Sequence, residues 1–95
     1  MEFEWDPGEA AGNAKKHGVT FSEAITVFGD PLEITIPDPG HSTSEYRFVS
    51  IGTSATGRLL VVSYTERGER TRIINARVAS ARERKSYESR KPQER

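Results

Sequence analysis

Segments of contrasting hydrophobic pattern follow one another along the chain, and the most apolar of them lies past its middle. Residues 59–62 form an unbroken apolar run, which predicts a strand buried on both faces. A second strand follows, with Ile73 and Ile74 as its apolar anchors. Between the two strands, Gly68 supplies the positive φ that a short hairpin loop commonly needs. We therefore predict a hairpin with its turn at residues 65–68 and a buried central strand.

The N-terminal third of the chain carries the signals of one strand and two helices. Phe3 to Trp5 predicts a short strand with two aromatic side chains on one side. Asp6 is a typical helix cap, and Gly18 can end that helix in the left-handed conformation. A capping box at Thr20–Glu23 opens a second helix, whose apolar residues have helical spacing. These residues are Phe21, Ala24, Ile25 and Phe28.

Two more strands and a last helix complete the prediction. The strands are expected at Leu32–Ile36 and Tyr46–Ile51. The loop between them, Pro37–Ser44, is the longest and the best candidate for mobility or ligand contact. A second capping box at Ser80–Glu83 opens a helix that we expect to end at about residue 87 or 90.

This order of elements predicts an α+β fold. It contains a short N-terminal strand, two helices, an antiparallel four-stranded sheet and a C-terminal helix. The two N-terminal helices should pack on one sheet face, with the basic last helix near the other. We expect residues 1–88 to form a single domain and residues 89–95 to be a charged, disordered tail.

Composition and charge narrow the possible functions. The 95 residues include no cysteine, which argues against disulfides and a thiol nucleophile and favours a reducing cytoplasm. No apolar run approaches transmembrane length. Residues 1–45 carry nine acidic and two basic residues, residues 46–76 two and five, and residues 77–95 three and seven. The net charges of these three segments are −7, +3 and +4, which sum to zero. The neutral total argues against strong nonspecific nucleic-acid binding. The basic second half of the chain can still recognise phosphate.

Arginine dominates the second half of the chain. Guanidinium groups bind phosphate oxygens bidentately and stay protonated, so this half suits an anionic ligand. The arginines in or beside the hairpin are Arg58, Arg67, Arg70, Arg72 and Arg77, and the last helix adds Arg82, Arg84 and Lys85.

Several of these residues have a structural interpretation beside the functional one. Arg77 can belong to a site, or can simply pair with Glu83 or Glu88. Arg72 and Arg77 would face opposite sides of a straight strand. A phosphate site shared by both arginines therefore needs a bulge in that strand, or a chain that leaves the sheet near Ala76.

His17 also has two interpretations. It is a candidate general base because it titrates near neutral pH, but a basic residue before Gly18 also suits a helix C-terminus, and capping is favoured. His41 receives no role. Two histidines without cysteine make a zinc site improbable.

An ordered series of segments runs along most of the chain. It consists of Phe3–Pro7, Lys16–Phe21, Glu23-Ala24, Val27-Phe28, Asp30-Pro31, Glu66–Gly68, Arg72–Arg77, Glu83 and Tyr87-Glu88. This series resembles the BrnT family of toxins of bacterial type II toxin–antitoxin systems. The resemblance implies a fold related to RelE-type ribonucleases and cleavage of RNA that arrests translation. It also implies neutralisation by a DNA-binding antitoxin, BrnA, through which operator DNA would be contacted only indirectly.

The resemblance turns the basic residues into candidates for an RNA-cleaving site that uses the RNA 2′-hydroxyl as nucleophile and needs no cofactor or metal. The expected catalytic residues are Arg77, Arg72, Tyr87 and His17. The expected RNA-binding residues are Arg67, Arg70, Arg84, Lys85 and Lys16. A second class of function stays open: a noncatalytic protein-binding module in which the arginines form a structural network.

Overall fold

A five-stranded sheet with helices on both faces is the framework of the protein. The computed structural model describes residues 1–38 and 46–89. In chain order the elements are β1 (Glu2–Glu4), α1 (Pro7–His17), α2 (Phe21–Ala24), a 3-10 helix (Ile25–Gly29), β2 (Ile34–Pro37), β3 (Arg47–Thr53), β4 (Leu59–Arg67), β5 (Arg70–Val78) and α3 (Ala81–Ser89). The strands lie in the order β1-β5-β4-β3-β2, with β4 at the centre.

The helix boundaries follow the predicted caps. The Asp6 carboxylate accepts a hydrogen bond from the Glu9 amide at 2.9 Å, and Gly18 ends α1 with φ 68°. The second predicted helix is α-helical only to Ala24 and then tightens into the 3-10 helix. There the Thr26 hydroxyl donates to the Glu23 carbonyl at 2.6 Å, a side-chain bond that competes with regular helical pairing.

Each sheet face has its own apolar cluster, because successive side chains of β4 point to opposite faces and those of residues 59–62 are all apolar. The face under α1 and α2 contains Val19, Phe21, Ala24, Val27, Leu60, Val62, Tyr64, Ile73 and Ala76. The face under α3 contains Ile34, Ile51, Leu59, Val61 and Tyr87. The predicted α+β class and the separation of the helices onto two faces are therefore confirmed.

Gly52 lets the 3-10 helix approach the sheet closely. A Cβ atom at this position would lie 2.7 Å from Val27 Cγ1 and 3.3 Å from the Val27 carbonyl oxygen. The contact requires glycine because no side chain fits between β3 and the helix.

The predicted sheet lacked one strand. Residues 2–4 pair with residues 70–72 in parallel, so β1 extends the antiparallel four-stranded sheet to five strands. β1 is too short to reveal a partner so distant in sequence. Strand β4 also continues through the predicted turn to Arg67, and the loop is Gly68-Glu69, with Gly68 at φ 60°.

Two predictions concern parts of the chain beyond the described residues. Most of the loop Pro37–Ser44, including His41, lies outside the described residues, and so does the segment 90–95. The division into one domain and a tail stays a prediction.

Candidate functional site

A bulge in β5 determines which arginines share a face of the sheet. Ser63 of β4 pairs with Asn75 of β5, and the next residue, Tyr64, pairs with Ile73. Ile74 therefore has no partner on β4 and is the extra residue of the bulge. The register puts Arg72 opposite Thr65 and Arg77 opposite Val61. Because residues 61 and 65 are an even number of positions apart on β4, the two arginines lie on the same face.

This face is the one that α3 partly covers. Val61, the neighbour of Arg77, packs in the cluster under α3. The two arginines lie opposite β4 residues that are four positions apart, which corresponds to about 13 Å along the strand. The bulge required for a common site is therefore present, but the spacing suits successive phosphates of one strand better than a single phosphate.

Arg77 is held at the start of α3. Its Nη1 and Nη2 atoms donate to Glu83 Oε1 and Oε2, both at 2.7 Å. Glu83 also accepts from the Ser80 amide at 2.8 Å, and its own amide donates to the Ser80 hydroxyl at 3.2 Å. Chiefly because of the hydrogen bonds from Arg77, the pKa of Glu83 is lowered to about 2. The structural interpretation of Arg77 is thus observed, and its part in catalysis stays a prediction.

Arg70 and Arg72 lie beside β1. Arg72 Nη1 is 3.3 Å from Glu4 Oε2, with 28% of the Arg72 side chain exposed. Arg70 contacts Glu2 at 3.4 Å and Glu4 at 3.5 Å. Arg67 is exposed beside the hairpin loop. The contacts of Arg70 and Arg72 with carboxylates are long and leave further guanidinium donors of these two residues available to a ligand.

Tyr87 occupies a different environment from the one its predicted role requires. Its side chain is only 4% exposed and packs in the cluster under α3. Its hydroxyl donates to Asp30 Oδ2 at 2.5 Å and lies 3.3 Å from Thr53 Oγ1. Burial, together with the hydrogen bond to Asp30, raises the pKa of Tyr87. The structure favours a core role for Tyr87 over contact with RNA.

The amide of Asn13 attaches α1 to the free edge of β5 beyond the end of β1. Asn13 Nδ2 donates to the Ala76 carbonyl at 2.8 Å and to the Val19 carbonyl at 2.9 Å. The Ala76 amide donates to Asn13 Oδ1 at 3.1 Å. One side chain thus replaces the backbone partner that a further strand would provide, which protects this edge.

A cavity of about 200 Å³ lies beside this attachment, between the last turns of α1 and the β5 bulge. Lys16 and His17 line it from α1, and Ile74 and Asn75 line it from β5. The structure therefore brings two predicted residues, Lys16 and His17, to the bulged strand that bears Arg72 and Arg77. They approach it from the side of α1, whereas the two arginines lie on the face under α3. Bulges commonly lie next to active sites, where they redirect side chains.

Arg84 and Lys85 lie on the exposed surface of α3, away from this edge of the described structure. Arg84 is 3.9 Å from Glu88, one helical turn later, a contact that contributes little to stability. Lys85 is exposed. Their expected contact with RNA stays a prediction.

Sequence reasoning missed the tertiary hydrogen bonds of three polar residues. Asn13 and Asp30 act through buried hydrogen bonds, and a lone polar residue in a helix or loop gives no local signal of such partners. Glu23 was recognised only as a cap. In the structure it also accepts hydrogen bonds from Arg58, Ser54 and Thr56, and the bonds from Arg58 contribute most to lowering the pKa of Glu23 to about 2.

Two searches of the described residues gave negative results. No three His, Cys, Asp or Glu side chains within residues 1–38 and 46–89 are grouped as metal ligands. Within the same ranges, no helix is long and apolar enough to cross a membrane.

Comparisons with known proteins gave one family and one fold. A family model described as the ribonuclease toxin BrnT of type II toxin–antitoxin systems matches residues 5–83. The fold is similar to the crystal structure of the Brucella abortus ribonuclease toxin BrnT, with a TM-score of 0.66. The two chains are 23% identical, over 84% of this chain and 97% of that chain. A search of curated proteins found no match.

Proposed function

Because the chain belongs to the BrnT family of ribonuclease toxins of type II toxin–antitoxin systems, we propose that it is a metal-independent endoribonuclease that acts in the cytoplasm and arrests translation. The site proposed for cleavage is the bulged edge of β5. The observation that carries this placement is the register, which puts Arg72 and Arg77 on one face of the strand whose bulge also borders Lys16 and His17.

RNA supplies its own nucleophile in this proposal. The 2′-hydroxyl attacks the adjacent phosphorus, the 5′-oxygen leaves, and a 2′,3′-cyclic phosphate forms. The protein must orient the strand, stabilise the charge on the phosphorane oxygens and move two protons. His17 is the candidate for proton transfer, because histidine is the side chain that most often serves as a general acid or base.

Arg77 can serve the phosphorane without leaving Glu83. A guanidinium has five donors, and Glu83 takes two of them at 2.7 Å while the Val78 carbonyl takes a third at 3.4 Å. The remaining donors belong to a group whose orientation is already set by the ion pair. A donor that is oriented before substrate arrives stabilises transition-state charge without a further reorganisation cost.

The test of metal independence is cleavage in the presence of EDTA. We expect purified protein to cleave RNA equally with and without the chelator, and the products to end in 2′,3′-cyclic phosphate or 3′-phosphate. Cleavage that stops with EDTA and returns with Mg²⁺ would replace this mechanism with a metal-assisted one.

We also propose that a BrnA-like antitoxin neutralises the protein by covering the basic face formed by the hairpin and α3. A partner on this face would exclude RNA directly, since the substrate phosphates must reach the same arginines. A complex that leaves this face open and still binds RNA would contradict the proposal.

One observation favours the noncatalytic alternative. Arg58, Arg72 and Arg77 each pair with a glutamate, as a structural arginine network requires. Expression in a bacterium with and without the partner separates the two functions. Growth arrest with shortened RNAs supports the ribonuclease, whereas normal growth at good soluble expression supports the protein-binding module.

A further inference from the structure

The cavity between α1 and the β5 bulge has a lining that the cleavage mechanism does not fully use. Glu9, Gly12, Asn13 and Lys16 line it from α1, at positions i, i+3, i+4 and i+7 on one helix face. Asn75 lines it from the bulge. Carboxylate, ammonium and amide groups thus converge on one concave space.

These polar groups do not satisfy one another. Within the part of the chain that the structure describes, the side chains of Glu9, Lys16, His17 and Asn75 make no hydrogen bond or ion pair. Asn13 differs, because its amide is engaged with the backbone of Ala76 in β5 and of Val19 in the loop after α1. A concave site with a few convergent polar groups that lack protein partners is typical of a ligand-binding site.

We infer that this cavity is a subsite for one nucleobase of the RNA and that it selects guanine. The inference rests on the proposed ribonuclease function. Guanine alone among the four RNA bases presents two adjacent N–H donors beside a carbonyl on its Watson–Crick edge. The Glu9 carboxylate can accept both donors, while Lys16 and the Asn75 amide supply donors for the carbonyl. Unstacked bases of single-stranded RNA are commonly recognised through this edge.

Gly12 provides a test that separates ligand binding from folding. A Cβ atom at Gly12 would have no atom within 4 Å beyond its own helix backbone, so a larger residue can begin there without a clash, and Gly12 lines the cavity. Glutamine also favours the helix more than glycine does. Gly12→Gln should therefore raise the melting temperature of the protein and still block the cavity. Ala11→Gln is the matched control, because Ala11 is exposed on α1 and does not line the cavity.

The first measurement is a titration of the protein with each of the four nucleoside monophosphates, in which binding is monitored by the NMR chemical shifts of the backbone amides. The phosphate is common to all four, so a difference between them reports the base, and inorganic phosphate alone gives the baseline. We expect guanosine monophosphate to shift the amides of Gly12, Lys16 and Asn75 most strongly. Gly12→Gln should lose this response, and Ala11→Gln should keep it. Shifts that are equal for all four nucleotides, or confined to residues elsewhere, would overturn the inference.

The second measurement maps cleavage positions in a mixed-sequence RNA by sequencing the fragments. Wild-type protein should cut at a fixed distance from guanine, and Glu9→Gln should reduce that preference by about tenfold or more, as expected when a bidentate base contact is lost. Cleavage by Glu9→Gln with the wild-type preference overturns the inference but leaves the ribonuclease function intact. If wild-type protein cleaves no RNA, the proposed function fails, and the nucleotide titration still decides whether the cavity binds guanine.

Discussion

Replacing Arg77 with alanine tests the ion pair at the start of α3 and the proposed phosphate donor at the same time. The carboxylate of Glu83 has a pKa of about 2 instead of 4.5. That difference corresponds to about 3 kcal/mol if all of it stabilises the folded state. The value is an upper limit, because Ser80 contributes to the lowered pKa and 39% of the Arg77 side chain is exposed. Solvent screening reduces the expected loss to about 1–2 kcal/mol.

The loss should depend on pH in a defined direction. The folded-state pKa of Glu83 lies below its ordinary value, so the stabilisation is present above about pH 4.5 and is lost as the pH falls toward 2. Urea unfolding of wild-type protein and Arg77→Ala at pH 7 should show the full difference in free energy of unfolding, and unfolding at pH 3 a smaller one. At pH 7 the melting temperature should fall by roughly 5–15 °C. Equal differences at both pH values would refute the assignment to Glu83.

A second variant separates stability from catalysis. Glu83→Gln removes the charge of the same ion pair but keeps the guanidinium, so it should lose a similar stability. It should lose less cleavage than Arg77→Ala, because the phosphate donor is still present although the carboxylate no longer orients it. Arg77→Ala should lose about two or more orders of magnitude in cleavage rate at a temperature where both variants are folded, as expected when a transition-state donor is removed. Arg84→Ala is the control for the stability measurement alone, because its contact at 3.9 Å should contribute less than about 0.5 kcal/mol. Equal cleavage by both ion-pair variants would remove Arg77 from the reaction.

Two further predictions concern the packing that supports the site. Gly52→Ala should destabilise the protein by about 1–3 kcal/mol, measured by urea unfolding, because its Cβ would meet Val27 Cγ1 at 2.7 Å; unchanged stability would show that the 3-10 helix can shift at little cost. Tyr87→Phe removes the hydrogen bond to Asp30 and should lower stability by about 1–3 kcal/mol while RNA cleavage by the folded fraction is retained; loss of cleavage at full stability would restore Tyr87 as a catalytic residue.

The parts of the fold that local chemistry determines could be predicted from the sequence. The cap at Asp6, the left-handed Gly18 and the capping box at Ser80 all use neighbouring residues, and all were observed. The parallel pairing of β1 could not be predicted, since its partner Arg70 lies far along the chain. Three residues of strand contain too little pattern to specify a position in a sheet.

The bulge in β5 interrupts the alternation of buried and exposed residues in the sequence, but this interruption can be recognised only once the structure is known. Ile73 and Ala76 are both fully buried in the same cluster, although residues three apart alternate faces on a regular strand. Because Ile73 and Ile74 are both apolar, the sequence does not show which of them faces the core, and the change of face is not apparent. The burial of Tyr87 could not be predicted either, because α3 has little apolar surface and nothing in the sequence distinguishes a buried tyrosine on a charged helix from an exposed one.

The attachment of α1 to β5 affects the order in which the protein can fold during synthesis. Asn13 bonds to Ala76, 63 residues later, and the cavity wall is shared between these two distant segments. The antiparallel hairpins join neighbouring segments, so they close short loops and can form early. The N-terminal strand and α1 can take their final positions only after β5 has been synthesised, because their partners are in β5. A growing chain that stops before residue 76 therefore has no assembled cavity, and the proposed RNA site forms only when nearly the whole polypeptide has been made.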